Sequence, residues 1–413
     1  MDAIRVGFLG LGGRGANARH EKNLGLIGKT LAMRKDYNIT VTAVCDEYQD
    51  RVELVQKKFA MRELEIPFGT TNPEELFARD DVDVVVISAA WEAHVPLAIA
   101  AMKAGKGVGM EVGGAYSVQD CFDLVRVQEQ TKVPFMFLEN CCYGRTELMV
   151  TKMVREGLFG EISYCHGAYS HDLREEISGG VKNRHYRLRN YITRNCDNYP
   201  THQLGPIAKL LNINRGNRML SLTAVASKAR GLNEYAKNHQ EFADLKDVKF
   251  AQGDVVHSLI KCADGTVISL KLNTTLPGSY SREFTVNGTK GMYTELGNSL
   301  YLDGAEYDVN FCYKNMNNAV QYEEKYDSKI WKGISKEAME MGHGGIDYLV
   351  LHAFYRALKN DEEMPIDVYD AASWMAITAL SEQSVAMGGT PVAIPDFTGG
   401  KWVMREPKDV CEL

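Results

Sequence analysis

The chain has 413 residues, 45% of them hydrophobic and 24% charged, with 47 Lys and Arg against 54 Asp and Glu and a formal net charge of −7. A chain of this length predicts two domains, each able to bury a core without covalent staples. The acidic surplus excludes a general nucleic-acid binder, which carries a basic one, and no apolar run reaches the ~18 residues of a membrane span.

In chain order, IRVGFL (4–9) predicts a strand. Gly10-Leu11-Gly12-Gly13-Arg14-Gly15 follows, then a helix-compatible stretch through about Arg34. ITVTAVCD (39–46) reads as a second strand and residues 51–60 as a helix. VDVVVISAA (82–90) is continuously apolar, as a strand covered on both faces should be. HVPLAIAAMKAG (94–105) is a helix with a glycine stop. GVGMEV (107–112), CFDLVRVQEQ (121–130) and PFMFLEN (134–140) continue as strand, helix and strand. Such alternation predicts a Rossmann domain over 1–140, a doubly wound parallel sheet.

After Asn140 the rhythm changes. A helix over about 144–157 precedes the strand EISYCHGAYSH (161–171). A loop rich in Arg, Asn and Gly is expected over 172–198, its basic run 182–194 solvated, and a helix from Pro200 to about Leu211. Between Leu220 and Tyr301, Asp264-Gly265 and Asn287-Gly288 signal hairpin turns. Helices over about 344–359 and 368–387 close the chain. Residues 141–413 thus predict an α+β domain with a large, mainly antiparallel open sheet.

The nine cysteines are irregularly spaced and form no CxxC pair. They predict free thiols in a reducing compartment and no metal site. Residues 1–10 lack the zones of a signal peptide. The expected location is cytoplasmic, or periplasmic had a leader been removed.

A GxGxxG pattern is weak alone, but here it leaves a strand and opens a helix, the context it requires. Gly10, Gly12, Gly13 and Gly15 permit the tight turn and let the backbone approach a pyrophosphate, with Arg14 beside it. Asp46, at the second strand's end, is placed to bond an adenosine ribose and would repel a 2′-phosphate, which favours NAD. Trp91, His94, Glu111 and Asn140 fall along the same carboxyl edge, where open α/β sheets bind ligands. A packing role at the helix start is the plain alternative for His94. In the second half, Tyr169 and His171 end a strand, Arg187 lies in the basic run, and Pro200 places His202 in a first helical turn. The positive helix end keeps an imidazole neutral, which suits a general base.

GLGGRG, the AVCD strand end, HxxxAxxAMxAGK and the strand-end Glu111 together resemble the Gfo/Idh/MocA oxidoreductase family. In its dehydrogenases the strand-end motif reads Glu-Lys-Pro and the lysine assists proton transfer. Here Val112 and Gly113 stand in those places, and a valine moves no proton. A narrower resemblance rests on Glu111-Val112, Glu139-Asn140-Cys141-Cys142-Tyr143 and Tyr169-x-His171-Asp172-Leu173. It also rests on Asn198-Tyr199-Pro200-Thr201-His202-x-Leu204-Gly205-Pro206, Pro277-Gly278-Ser279-Tyr280-Ser281-Arg282 and Gly342-His343-Gly344-Gly345-Ile346-Asp347. These pieces resemble glycoside hydrolase family 109, the NAD-dependent α-N-acetylgalactosaminidases.

The resemblance implies Glu139, Tyr169, His171, Arg187, Tyr199, His202 and Tyr280 around a sugar. It also implies transient oxidation at C3, elimination, water addition and re-reduction, with NAD recycled. His202 is the expected base for the C3 hydroxyl. Tyr280 is the candidate for proton transfer at C2, which requires its pKa to fall from near 10. Glu139 and His171 would orient hydroxyls or assist the leaving group, with Tyr169, Arg187 and Tyr199 holding the sugar. A net sugar or cyclitol dehydrogenase and a silent NAD-binding sensor are the alternatives. The family's usual assembly implies a homodimer or homotetramer, with no nucleic-acid or membrane partner.

Overall fold

The computed structural model describes residues 1–17 and 23–413. The chain forms two compact units, one of residues 1–140 and 334–372, the other of residues 141–333 and 373–413. A single cut after Asn140 therefore misses the return of 334–372 to the first unit.

The first unit holds β1 (Ile4–Leu9), β2 (Ile39–Cys45), β3 (Phe68–Thr70), β4 (Val84–Ile87), β5 (Gly107–Met110) and β6 (Phe135–Phe137). Their order is β3-β2-β1-β4-β5-β6, all parallel, so the sheet reverses direction of growth between β1 and β4. All four residues of β4 and of β5 are buried, which is why these strands read as unbroken apolar runs. β3 escapes the sequence because it is three residues long and only its last is buried. Helices Gln49–Ala60, Trp91–Lys103 and Val118–Thr131 provide three of the crossovers. The last starts at a capping box in which Ser117 and Asp120 exchange side-chain and backbone hydrogen bonds. The expected first helix appears as Gly25–Ala32 and Arg34–Tyr37, and its residues 18–22 lie outside the described residues.

Helix Ile346–Asn360 belongs to this unit. A Cβ on Gly109 of β5 would stand 3.0 Å from the Phe354 ring, and the Tyr355 hydroxyl lies 2.8 Å from Thr30 Oγ1.

The second unit holds β7 (Ile162–Ser170), β8 (Met219–Ala226), β9 (Val255–Cys262), β10 (Val267–Asn273), β11 (Thr285–Gly288), β12 (Gly291–Thr294), β13 (Ser299–Leu302) and β14 (Val392–Ala393). The order is β13-β12-β11-β7-β10-β9-β8-β14. Only β7 and β10 pair in parallel, and the other neighbours are antiparallel. Asp264-Gly265 turns the β9–β10 hairpin, with Gly265 at φ +99°.

Asn287-Gly288 is not the second turn. Both residues lie in β11, Asn287 pairs with Met292, and the chain reverses at Thr289-Lys290. Gly288 is needed for a close approach instead, since a Cβ there would stand 2.1 Å from the Phe159 carbonyl oxygen. Nor is 172–198 a plain loop. It contains helices Arg174–Ser178 and Arg187–Thr193, and Arg187, Leu188, Asn190 and Tyr191 of the supposedly solvated run are buried. Helices of five and seven residues are too short to show a period.

One face of this sheet packs on helix Thr201–Leu210. At Gly167 of β7 a Cβ would stand 2.8 Å from the Gln203 carbonyl oxygen. The other face is open. β9 alternates buried and exposed residues, and Leu259 and the neighbouring Val225 are 53% and 56% exposed. Among the described residues, no helix is long and apolar enough to cross a membrane.

Candidate active site

The first unit builds a nucleotide cradle where β1 ends. Gly10 has φ +86°, and a Cβ on it would stand 2.5 Å from the Ala89 nitrogen. A Cβ on Gly15 would stand 2.0 Å from the Gly10 carbonyl oxygen. These two glycines let the turn close. Gly13 has nothing within 4 Å of such a position and Gly12 only Arg51 at 3.7 Å, so the middle of the turn presents open backbone to a pyrophosphate. Asp46, just past β2, accepts from the Leu11 and Tyr48 amides at 2.6 and 3.1 Å. The Arg51 guanidinium lies 3.4 Å from both its oxygens and over the Tyr48 ring.

Arg14 reaches across the carboxyl edge of the sheet. Its Nε donates to Glu111 at 2.9 Å and its Nη1 to Asp347 at 2.7 Å. Asp347 is 1% exposed. It also accepts from Asn140 Nδ2 at 2.6 Å, meets His343 Nδ1 at 2.9 Å and has Lys29 at 3.6 Å. Burial would raise its carboxyl, but Arg14 and His343 together hold it far below the usual carboxylate range. Sequence reasoning did not place Asp347 in a site, although it closes the Gly-His-Gly-Gly-Ile-Asp motif and opens a predicted helix. Trp91 and His94 form the first turn of their helix, earlier than its expected start, and both are buried. His94 Nε2 lies 3.0 Å from the Ala89 carbonyl, and burial pushes the imidazole down to about 4, so it is neutral. Its contacts here are those of a packed helix-start residue.

The second unit gathers an aromatic and imidazole cluster. Tyr169 on β7 points inward between the buried Gly167 and the strand's end, and its hydroxyl lies 3.2 Å from His171 Nδ1. The Tyr199 hydroxyl lies 3.2 Å from Nε2 of His202, the second residue of helix Thr201–Leu210. The Tyr169 ring centre is 4.8 Å from that of Tyr199, 5.6 Å from His202 and 6.1 Å from Tyr280, and His171 and Tyr280 are 5.2 Å apart. Arg187 sits 5.0 Å over the Tyr199 ring and its Nε meets Glu176 at 3.0 Å. Six residues expected around a sugar thus converge, brought from β7, two helices and the segment before β11. Glu139, the seventh, is fully buried just past β6 in the first unit.

Burial raises the Tyr169 hydroxyl to about 12, with Arg187 opposing. Burial and then Arg187 push His171 down, so its imidazole is neutral at pH 7. Arg187 stays a cation, because Tyr169, Tyr186 and Glu176 more than offset its burial.

Tyr280 departs from expectation. Tyr280 is 50% exposed as a whole residue, but the crowding around its hydroxyl and then Cys141 push that group up, and Arg282 does not reverse this. The Arg282 guanidinium, which would favour a tyrosinate, is paired with Glu147, Nη2 to Oε1 at 2.5 Å. A tyrosine held protonated donates a hydrogen bond and is a poor base. Glu147 and Glu176 were not singled out from the sequence, since a carboxylate on a helix carries no motif of its own.

Residues 4–138 match an oxidoreductase family described as having an NAD-binding Rossmann fold, and residues 143–404 match the glycosyl hydrolase 109 C-terminal domain. The chain belongs to glycosyl hydrolase family 109. An α-N-acetylgalactosaminidase of Tannerella forsythia is 38% identical over 98% of this chain and 88% of its own length. Another protein so named, from Shewanella oneidensis, is 36% identical with the same coverage. A levoglucosan dehydrogenase solved in complex with NADH is similar in fold, with a TM-score of 0.68 at 17% identity, over 95% of this chain and 100% of that one.

NAD is the cofactor of this family-109 chain, and the open backbone of the glycine turn fits it. The glycine after Glu111-Val112 also has a steric reason. A Cβ on Gly113 would stand 2.5 Å from Trp91 Cδ1, so the Trp91 ring fills the space that a side chain at 113 would need.

Proposed function

We propose that this family-109 enzyme hydrolyses terminal α-N-acetylgalactosaminides with no net redox change. The cluster of two tyrosine–histidine pairs carries the reading. Tyr169–His171 and Tyr199–His202 supply imidazoles and hydroxyl donors in one place, the His171 imidazole held neutral. The cluster itself contains no facing pair of carboxylates, the equipment of an ordinary glycosidase. The names of the Tannerella and Shewanella relatives supply the sugar.

Bound at the glycine turn, NAD would supply the reversible hydride exchange at C3 through which the sugar becomes a 3-ketone for part of the cycle, with an acidified C2 hydrogen. His202 takes the C3 hydroxyl proton, with Tyr199 holding the imidazole in register. His171, neutral and braced by Tyr169, takes the C2 proton in place of Tyr280. The C1–O bond then breaks and the aglycone leaves with a proton, giving a 1,2-unsaturated ketone. Water adds its hydroxyl at C1 and its other proton replaces the one the aglycone took, His171 returns its proton to C2 and His202 returns its own to the C3 oxygen, so one water is consumed per bond cleaved. Tyr280 donates a hydrogen bond to the sugar, Arg187 and Tyr199 hold it, and Glu139 orients hydroxyls or assists the leaving group. Gly10, Gly12, Gly13, Arg14, Gly15, Asp46, Glu111 and Asn140 serve the cofactor.

The nine cysteines carry no disulfide, which supports a cytoplasmic location. The open face of the second sheet supports a homo-oligomer built across it.

The test uses protein stripped of nucleotide, mixed with p-nitrophenyl α-N-acetylgalactosaminide with and without NAD+. Nitrophenol release that requires NAD+ in only catalytic amount, with no NADH build-up, is expected. NADH accumulating while the glycoside stays intact would replace the reading with a net dehydrogenase.

A further inference from the structure

Asp197 lies two residues before Tyr199 and is 0% exposed. Its backbone is locked to helix Val368–Ala386: its N–H donates to Ser381 Oγ at 2.9 Å, and its carbonyl accepts from Thr378 Oγ1 at 2.8 Å. Its carboxyl accepts from the Tyr199 backbone N–H, and its Oδ1 and Oδ2 lie 3.4 and 3.3 Å from the Gln203 side-chain nitrogen. Among the described residues no cation is paired with it. The titratable and charged groups on the elements around it are the buried Cys196 thiol, Tyr199, the Arg194–Glu382 pair, Tyr369 and Asp370 at the far end of helix Val368–Ala386, and His202 and Lys209 on helix Thr201–Leu210. Burial pushes Asp197 up to about 7, with the Tyr199 amide and Gln203 opposing.

Gln203 has acceptors on both sides. Its amide faces the Asp197 carboxyl at one edge and the backbone carbonyls of Tyr199 and Pro200 at the other, 3.0 and 3.3 Å away. One NH₂ group cannot serve both edges. With Asp197 ionised, the NH₂ turns to the carboxylate and the amide oxygen abuts two carbonyls. With Asp197 protonated, the amide turns over, its NH₂ donates to both carbonyls, and its oxygen accepts the carboxyl proton. The turned amide satisfies both of its own ends, and a protonated Asp197 is the form of the carboxyl that its oxygen can accept from.

We infer that Asp197, acting as a carboxylic acid, is a positioning residue that sets the Gln203 amide to tie down the Tyr199–Pro200 carbonyls at the start of the His202 helix. The inference rests on the reading of Tyr199 and His202 as part of the sugar site. It adds a device that the catalytic scheme does not require: loss of one buried proton loosens the turn that aligns the Tyr199–His202 pair.

The experiment measures kcat and KM from pH 5 to 9 for the holoenzyme and for Asp197→Asn and Gln203→Met, with thermal unfolding midpoints over the same range. Asparagine donates to the Gln203 oxygen without titrating. The parent should lose kcat as pH rises through neutrality with little change in KM. Asp197→Asn should move that alkaline limb up by about one pH unit or more. Gln203→Met should lower kcat at every pH and lose the limb. A carboxyl whose folded pKa exceeds its unfolded ~3.9 costs the parent stability as pH rises between the two values, so the midpoint of Asp197→Asn should gain on the parent's from pH 5 to pH 8. Parallel midpoint curves, or a pH–rate profile for Asp197→Asn that superimposes on the parent's, overturn the inference. If the parent releases no nitrophenol at all, the sugar reading fails, and the midpoints still decide whether Asp197 holds its proton.

Discussion

His202 illustrates how a side chain acquires its task from its setting. Pro200 caps the helix start, the imidazole follows in the first turn, and the Tyr199 hydroxyl holds Nε2 at 3.2 Å. Replacing His202 with Ala should lower kcat by at least about a hundredfold, the usual scale for a lost general base, while NAD affinity measured by calorimetry stays within about twofold of the parent. A folded variant that keeps most of its kcat would remove His202 from the scheme. Asp347 anchors Arg14 of the glycine turn. Asp347→Ala leaves Arg14 and Lys29 without their shared buried anion, so unfolding free energy should fall by about 3 kcal/mol. NAD should also bind at least about tenfold more weakly, because Arg14 then has only Glu111 to orient it. Urea unfolding and a nucleotide titration read the two effects separately. Residue types and motifs made most of these positions legible. Nothing local marked Glu147, Glu176 or Asp197, because their roles come from burial and from partners elsewhere in the chain.

The relevant unit at the next scale is the contact between β7 and helix Thr201–Leu210. β7 carries Tyr169, the helix carries His202, and the two approach through Gly167. A methyl group there would meet the Gln203 carbonyl at 2.8 Å and the Gln203 Cβ at 3.0 Å, so the helix must shift. Gly167→Ala should cost about 1–3 kcal/mol of stability and lower kcat more than it changes KM, since reacting groups tolerate little misplacement. Unchanged kinetics in a folded Gly167→Ala protein would show that this spacing does not set the site. On the opposite face, Glu283 clamps the parallel β7–β10 pair, accepting from Ser170 at 3.2 Å and meeting His166 at 3.1 Å and Lys271. The His166 hydrogen bond, against burial and with help from Lys271, lowers its carboxyl from 4.5 to about 2. A depressed carboxylate contributes stability above its unfolded pKa and loses it as pH falls toward the folded value. Glu283→Gln should therefore be less stable than the parent at pH 7, and the gap in unfolding midpoint should close between about pH 4.5 and 2. Hairpin chemistry was readable at Asp264-Gly265 but misleading at Asn287-Gly288, where the glycine makes room for the Phe159 carbonyl.

At the scale of the whole molecule, the open face of the second sheet is the unfinished surface. Leu259 and Val225 stand exposed on neighbouring strands, amid a strand whose alternate residues are buried beneath them. A sheet face of this kind, covered by a second copy, completes the homo-oligomer proposed above. Sedimentation of the parent should give a multiple of the 46.1 kDa chain mass, and Val225→Glu with Leu259→Lys should reduce it to one chain. A parent that sediments as a single chain would show that this face needs no cover.

The sequence alone determined the alternation of strands and helices in the first unit, the glycine turn and Asp46, and the kinds of side chain gathered in the aromatic and imidazole cluster. Each of these is written in local spacing or in residue identity, which need no knowledge of distant chain. The return of residues 334–372 to the first unit, and with it the bond from Arg14 to an aspartate 333 positions away, was decided by tertiary structure. So were the raised hydroxyl of Tyr280 and the carboxyl of Asp197 lifted to about 7. Desolvation and charge pairing depend on which remote segments close over a group, and spacing along the chain does not record that.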